Sequence, residues 1–98
     1  MYARVTLAQI QPGKAGELIQ FLRDNVVAAA QQQQGFKGLL VLTDESSNKG
    51  IALTLWETDA AMAAGEASDG YYTQQLARGA QFFAAPPERS AYQLNIQV

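Results

Sequence analysis

Residues 36–56 read FKGLLVLTDESSNKGIALTLW, two runs of strand-forming residues around a polar centre. That centre, Asp44-Glu45-Ser46-Ser47-Asn48-Lys49, is rich in turn formers. The flanking runs, residues 36–43 and 50–58, are therefore expected to pair as an antiparallel hairpin. Neither run alternates apolar with polar. At strand spacing Phe36, Leu40 and Leu42 share one face, and Leu39 and Val41 the other. Ile51, Leu53 and Leu55 oppose Ala52, Thr54 and Trp56 in the same way. An antiparallel sheet with one wet face alternates; this hairpin has two apolar faces to cover.

Working upstream, residues 2–10 carry Tyr2, Val5, Thr6, Leu7 and Ile10 and predict a first strand, closed by Pro12-Gly13. From Lys14 to Gln34 the period changes. Ala15, Leu18, Ile19, Leu22 and Val26 recur at three- and four-residue spacing, one apolar stripe on a long helix, with Gly35 as its cap. The glutamines 31–34 read as the solvated last turn of that helix. Downstream, Thr58-Asp59 can cap a helix through residues 60–64, which Gly65 and Gly70 interrupt. Ser68-Asp69 can cap a second piece carrying Tyr72, Leu76, Ala80 and Phe83, which Pro86-Pro87 ends. Residues 89–98 alternate again, with Tyr92, Leu94, Ile96 and Val98 on one face, and predict a fourth strand.

The order strand–helix–strand–strand–helix–strand predicts an α+β fold. It is the ferredoxin-like βαββαβ arrangement, a four-stranded antiparallel sheet with both helices on one face, in a single domain over residues 1–98. Helices on one face leave the other apolar face bare. Monomers rarely tolerate such a patch. A homodimer packed sheet to sheet is the expected solution, since a two-fold pair is the commonest closure. The segment 84–90 is too short to serve as a lid instead.

Composition narrows the chemistry. The 98 residues are 48% hydrophobic and 16% charged, with a formal net charge of -2. Seven scattered Lys and Arg residues argue against a nucleic-acid partner. There is no Cys and no His. That removes disulfides, thiolate zinc sites, the usual haem ligand and the usual neutral-pH base, and no metal is expected. The N-terminus lacks a signal-peptide pattern, and no stretch reaches the ~20 apolar residues of a membrane span. No membrane association is expected, and the default location is cytoplasmic.

Gly35-Phe36-x-Gly38 opens the second strand, and Trp56-Glu57 closes the third just before a helix. With the βαββαβ order, these elements make the whole chain resemble the antibiotic biosynthesis monooxygenase superfamily, the dimeric α/β-barrel proteins. The resemblance implies two ferredoxin-like subunits packed sheet to sheet, each with a pocket between sheet and helices. It implies a cofactor-independent monooxygenase or quinol oxygenase acting on a flat aromatic or quinone-type molecule. The alternative is a non-catalytic dimeric module of the same fold that binds a small hydrophobic ligand. The family's haem-degrading branch pairs the strand-three tryptophan with a strand-one asparagine and an iron-binding histidine. Here Thr6 takes the asparagine position and no histidine exists. The cofactor-free phenol oxygenases carry an asparagine earlier on the tryptophan's strand face, where this chain has Ala52. Only Trp56 carries over.

Six residues are the candidate pocket, and none is assigned a catalytic role. Trp56, the lone tryptophan, is either an aromatic wall with an N–H to donate or a core or interface ring. Tyr72 shares a helical face with Leu76, so its hydroxyl either meets a ligand oxygen or belongs to packing. Its neighbour Tyr71 is expected on another side, exposed or at the interface. Arg4 shares a strand face with Tyr2 and Thr6. It either stabilises a substrate oxyanion or forms a rim salt bridge to Glu57, Glu88 or another acid. Met62 and Phe83 are core material that can line the pocket. Arg78 reads as a solvated charge and Asp59 as part of a helix cap. With so few reactive side chains, a substrate must bring most of the reactivity, which suits oxygenation of an electron-rich phenol without a cofactor.

Overall fold

The computed structural model describes residues 1–98. Four strands, β1 (Tyr2–Gln9), β2 (Phe36–Asp44), β3 (Lys49–Trp56) and β4 (Glu88–Gln93), form one antiparallel sheet in the order β2-β3-β1-β4. Between β1 and β2 run α1 (Ala15–Phe21), a π-helical turn (Leu22–Val26) and α2 (Val27–Gln31), in one continuous helical segment. After β3 come α3 (Asp59–Ala64), α4 (Tyr71–Arg78) and a 3₁₀ turn (Ala80–Phe82). This is the ferredoxin-like βαββαβ fold.

The hairpin pairs as its composition dictates, with Asp44 opposite Lys49 at its tip. Register then settles the faces. Tyr2 lies opposite Trp56, Arg4 opposite Thr54 and Thr6 opposite Ala52, all on the helix-bearing face. Leu39 is opposite Thr54 and Leu40 opposite Leu53. An irregularity between Phe36 and Gly38 changes one expectation. The extra residue of a bulge reverses the alternation, so Phe36 joins the face of Leu39, not that of Leu40. Its ring meets Trp56 edge-on, with centroids 5.6 Å apart.

Three element ends also differ from the sequence reading. The first helical segment stops at Gln31, and residues 32–35 turn into β2. Gly35 has φ +83°, and an added Cβ would sit 2.7 Å from the Ala61 Cβ, so both backbone and space require glycine there. α4 is capped by Gly70 with no side-chain bond, not by Ser68 or Asp69. β4 ends at Gln93, opposite Tyr2, and one backbone bond continues past it, from the Leu94 N–H to the Met1 carbonyl at 2.8 Å. Ile96 and Val98 beyond it are exposed. Thr58 does cap α3, its hydroxyl accepting the Ala61 N–H at 3.0 Å.

Two apolar clusters fill the space between sheet and helices. One gathers Ile10, Ala15, Leu18 and Phe82; the other gathers Ala30, Trp56, Met62 and Tyr71. The opposite face of the sheet has no cover in the single chain. Leu40 and Leu42 are each 57% exposed there, on the face that also carries Leu7, Ile51 and Tyr92. No helix is long and apolar enough to cross a membrane.

Candidate functional site

A cavity of about 90 Å³ lies between the sheet and the helices, where the two clusters meet. Its floor is strand: Thr6 from β1, Leu39 from β2, and Ala52 and Thr54 from β3. Leu18, Leu22 and Val26 wall one side. The last two come from the π-helical turn, an irregularity common at functional sites. Asn25 in that turn donates its side-chain N–H to the Phe21 carbonyl at 3.1 Å and accepts from Arg78 Nη2 at 2.9 Å. Arg78 is thus exposed yet tied across to the first helical segment.

The other wall is α4. Tyr71 and Gln75, and Tyr72 and Leu76, form two adjacent i, i+4 stripes, and all four residues line the cavity. A tight turn sets this orientation. The Gly65 carbonyl accepts the N–H groups of Tyr72 at 3.0 Å and Thr73 at 3.3 Å. A Cβ on Gly65 would press on the Tyr71 ring at 2.7 Å, and one on Gly70 would collide with the Gly65 carbonyl. The two glycines let the start of α4 close against α3. Tyr71 is consequently only 8% exposed, which corrects the expectation that it lies outside.

The candidate residues divide between the cavity and the core behind it. Thr6, Tyr72 and Phe83 line the cavity. The Thr6 hydroxyl and the Tyr72 hydroxyl are hydrogen-bonded at 3.0 Å, joining β1 to α4 across one end. Trp56 is fully buried beside Met62 and does not reach the cavity wall. Its indole N–H is already given to Thr54 Oγ1 at 2.9 Å. The tryptophan is therefore a core ring with a satisfied donor, not a wall with a donor to offer. Met62 is likewise core, and its carbonyl accepts from Arg4 Nη2 at 2.6 Å.

Arg4 is 1% exposed, and the salt bridge it forms is to another acid, Glu66, whose side chain is 21% exposed. Its Nε donates to Glu66 Oε2 at 3.1 Å, and Glu66 Oε1 also accepts from Arg89 Nη1 at 3.0 Å. The guanidinium lies 4.1 Å from the Tyr72 ring centre, 5.6 Å from Trp56 and 5.9 Å from Tyr71. Three aromatic faces, the Met62 carbonyl and a carboxylate replace part of the water this cation has lost, and Nη1 is left buried with no hydrogen-bond partner. Burial pushes the Tyr71 hydroxyl pKa above the usual tyrosine value, and the positive charge of Arg4 opposes that rise.

Chemically the cavity offers an apolar slot and a hydroxyl pair at one end. No cluster of three or more His, Cys, Asp or Glu side chains is placed to hold a metal ion. Gln75 escaped the sequence reading, although its i+3 spacing from Tyr72 signalled a shared face. Tyr71 faces the cavity, against the expectation of an exposed or interface position.

The sequence profile of the antibiotic biosynthesis monooxygenase family matches residues 1–73. Two uncharacterized Mycobacterium tuberculosis proteins, from different strains, are each 39% identical over 64 residues, 65% of this chain. The match spans only 27% of those relatives' length. Among solved structures, a monooxygenase from the ActVA-Orf6 gene of Streptomyces coelicolor, in complex with nanaomycin D, superimposes with a TM-score of 0.82. It is 12% identical, over 99% of this chain and 89% of that one. SnoaB, a cofactor-independent oxygenase from Streptomyces nogalater, gives 0.79 at 13% identity, over 99% and 95% of the two chains. A Nitrosomonas europaea protein of unknown function gives 0.80 at 19%, over 99% and 91%.

Proposed function

Since the chain belongs to the antibiotic biosynthesis monooxygenase family, we propose that it oxygenates a flat, electron-rich aromatic, a phenol or quinol, held between sheet and helices. The observation that carries this reading is the apolar cavity closed at one end by the paired hydroxyls of Thr6 and Tyr72. An apolar slot excludes water from a reactive phenolate, and a hydroxyl pair orients an oxygen substituent. The reaction needs no cofactor when the substrate supplies the electrons. A quinol and dioxygen give a hydroxyquinone and water: one oxygen atom enters the ring, the other leaves as water, and the quinol gives up all four electrons. The chain's own residues bind, orient and keep water out.

One observation favours the second reading, a non-catalytic module that binds a small hydrophobic ligand. The indole N–H of Trp56 is committed to Thr54, and Ala52 on the cavity floor supplies no polar group. Oxygen uptake separates the two. With a naphthoquinol and the protein, consumption of dioxygen well above the rate of autoxidation supports the enzyme. Binding of the quinol without added consumption supports the module.

The bare face of the sheet supports a homodimer in either case. Leu7, Leu40, Leu42, Ile51 and Tyr92 form an exposed apolar surface of the kind a second copy covers.

A further inference from the structure

The cavity, at about 90 Å³, is too small for the molecule proposed for it. About 150 Å³ holds benzene in an engineered apolar cavity, so a ring ligand enters only if one of the walls gives way. The floor is fixed, because Thr6 and Ala52, and Leu39 and Thr54, face each other within paired strands. The α4 wall is fixed as well. Its first turn hangs from the Gly65 carbonyl, and the Tyr72 hydroxyl is held by Thr6 at 3.0 Å. The first helical segment is anchored at its two ends, by Leu18 in one apolar cluster and by Ala30 in the other. Its middle is not. The π-helical turn Leu22–Val26 contains no buried residue, although Leu22 and Val26 line the cavity.

That turn is also where the helix has slack. The Val27 N–H bonds to the Leu22 carbonyl, five residues back rather than four, so the turn holds one residue more than an α turn needs. One side-chain hydrogen bond ties it to another element. Arg78 Nη2, at the end of α4, donates to Asn25 Oδ1 at 2.9 Å, across 53 residues of sequence. Asn25 in turn donates to the Phe21 carbonyl at 3.1 Å, and Asp24 bonds only to Gln20 of its own segment.

We infer that the π-helical turn is the movable wall of the cavity and that the Arg78–Asn25 hydrogen bond is the latch holding it against α4. The inference rests on the cavity being the ligand site. In the empty protein the latch is closed and the cavity is small. When a flat ring enters, Leu22 and Val26 move outward, and Arg78 and Asn25 give up their bond to water. The segment's two ends stay in place. The latch therefore opposes binding. Its loss strengthens binding, the reverse of what the loss of a supporting contact does.

The test uses the full chain and two hydrocarbon probes, toluene with one ring and naphthalene with two. Affinity and exchange rate are read by NMR titration, following the methyl groups of Leu22, Val26, Leu39 and Leu76. Binding should shift Leu22, Val26 and the backbone amides of residues 22–27 along with the floor. Arg78→Ala should bind each probe about two- to fivefold more tightly, the worth of one exposed hydrogen bond, and exchange it faster. Asn25→Ala should change affinity in the same direction. Arg23→Ala removes the same charge from the outer side of the turn and should leave binding unchanged. Affinity in folded Arg78→Ala that is unchanged, lowered, or raised only as much as in Arg23→Ala overturns the latch and leaves the cavity standing as a ring site. Shifts confined to Leu39 and Leu76 overturn the movable wall. No shift at any of the four residues, in any variant, overturns the cavity reading and this inference with it.

Discussion

The Arg4 guanidinium carbon stands 4.1 Å from the centre of the Tyr72 ring, while Thr6, two residues on along β1, holds the Tyr72 hydroxyl at 3.0 Å. One strand thus grips one tyrosine twice, by its ring and by its hydroxyl. Alternate residues of a strand share a face, which is why Arg4 and Thr6 reach the same side chain. The grip sets the end of the cavity, and the buried cation that provides half of it depends on Glu66.

Glu66→Ala should therefore be costly. It leaves the Arg4 charge buried with only the Met62 carbonyl and the aromatic faces. Breaking such a pair typically costs about 3–5 kcal/mol. Arg89→Ala removes the other partner of Glu66 from a half-exposed position, where a pair contributes about 1 kcal/mol or less. Urea unfolding of the two variants measures the difference. Equal losses would show that solvent screens the Arg4–Glu66 pair.

Trp56→Phe should lower stability by about 2 kcal/mol, through the volume lost and the N–H removed from Thr54. The affinity of ring ligands should stay the same, because Trp56 stands behind Tyr71, ring centres 5.7 Å apart, and off the cavity wall. A melting curve beside a ligand titration checks both. A stable variant with weakened binding would return Trp56 to the site.

Gly70→Ala should unfold the start of α4 or the whole chain. Its Cβ would enter the space of the Gly65 carbonyl, the acceptor for the Tyr72 and Thr73 N–H groups. Gly16→Ala, where nothing lies within 4 Å of the added carbon, should be tolerated. Circular dichroism during heating distinguishes the pair, and equal melting points would mean that the turn can relax.

Leu42→Asp places a charge on the bare face of the sheet. Light scattering should find about twice 10.6 kDa for the unaltered chain and a single-chain mass for the variant. Val41→Lys, one residue away on the helix-bearing face, should remain paired. A monomer before any substitution would remove the case for a partner copy.

Alkaline pH probes Tyr71. Burial raises its folded pKa above the unfolded value of about 10, against the opposing charge of Arg4. The native state then keeps the proton longer than the unfolded chain does. Its stabilising contribution is complete below about pH 10 and is lost as the pH rises through the folded pKa. Urea unfolding from pH 8 to 11 should show a shallower decline for Tyr71→Phe than for the unaltered protein. Parallel curves would mean that the hydroxyl ionises equally in both states.

What the sequence determined by itself is whatever depends on local spacing and turn chemistry. Period two in residues 2–10, the polar tip at residues 44–49 and the Thr58 cap were enough for the first strand, the hairpin and the start of α3. The doubled apolar pattern of β2 and β3 also marked two apolar faces, and Leu40 and Leu42 lie on the uncovered one. Tertiary structure alone decided where individual side chains point and whom they meet. The bulge after Phe36 reversed one alternation, and bulges leave no dependable mark on composition. The Gly65–Gly70 turn set the rotation of α4, which brought Tyr71 and Gln75 inward beside Tyr72. Arg4 chose Glu66, 62 residues away, rather than Glu57 or Glu88. Such choices are made by packing between distant segments, which share no period, and the cavity lies where those segments meet.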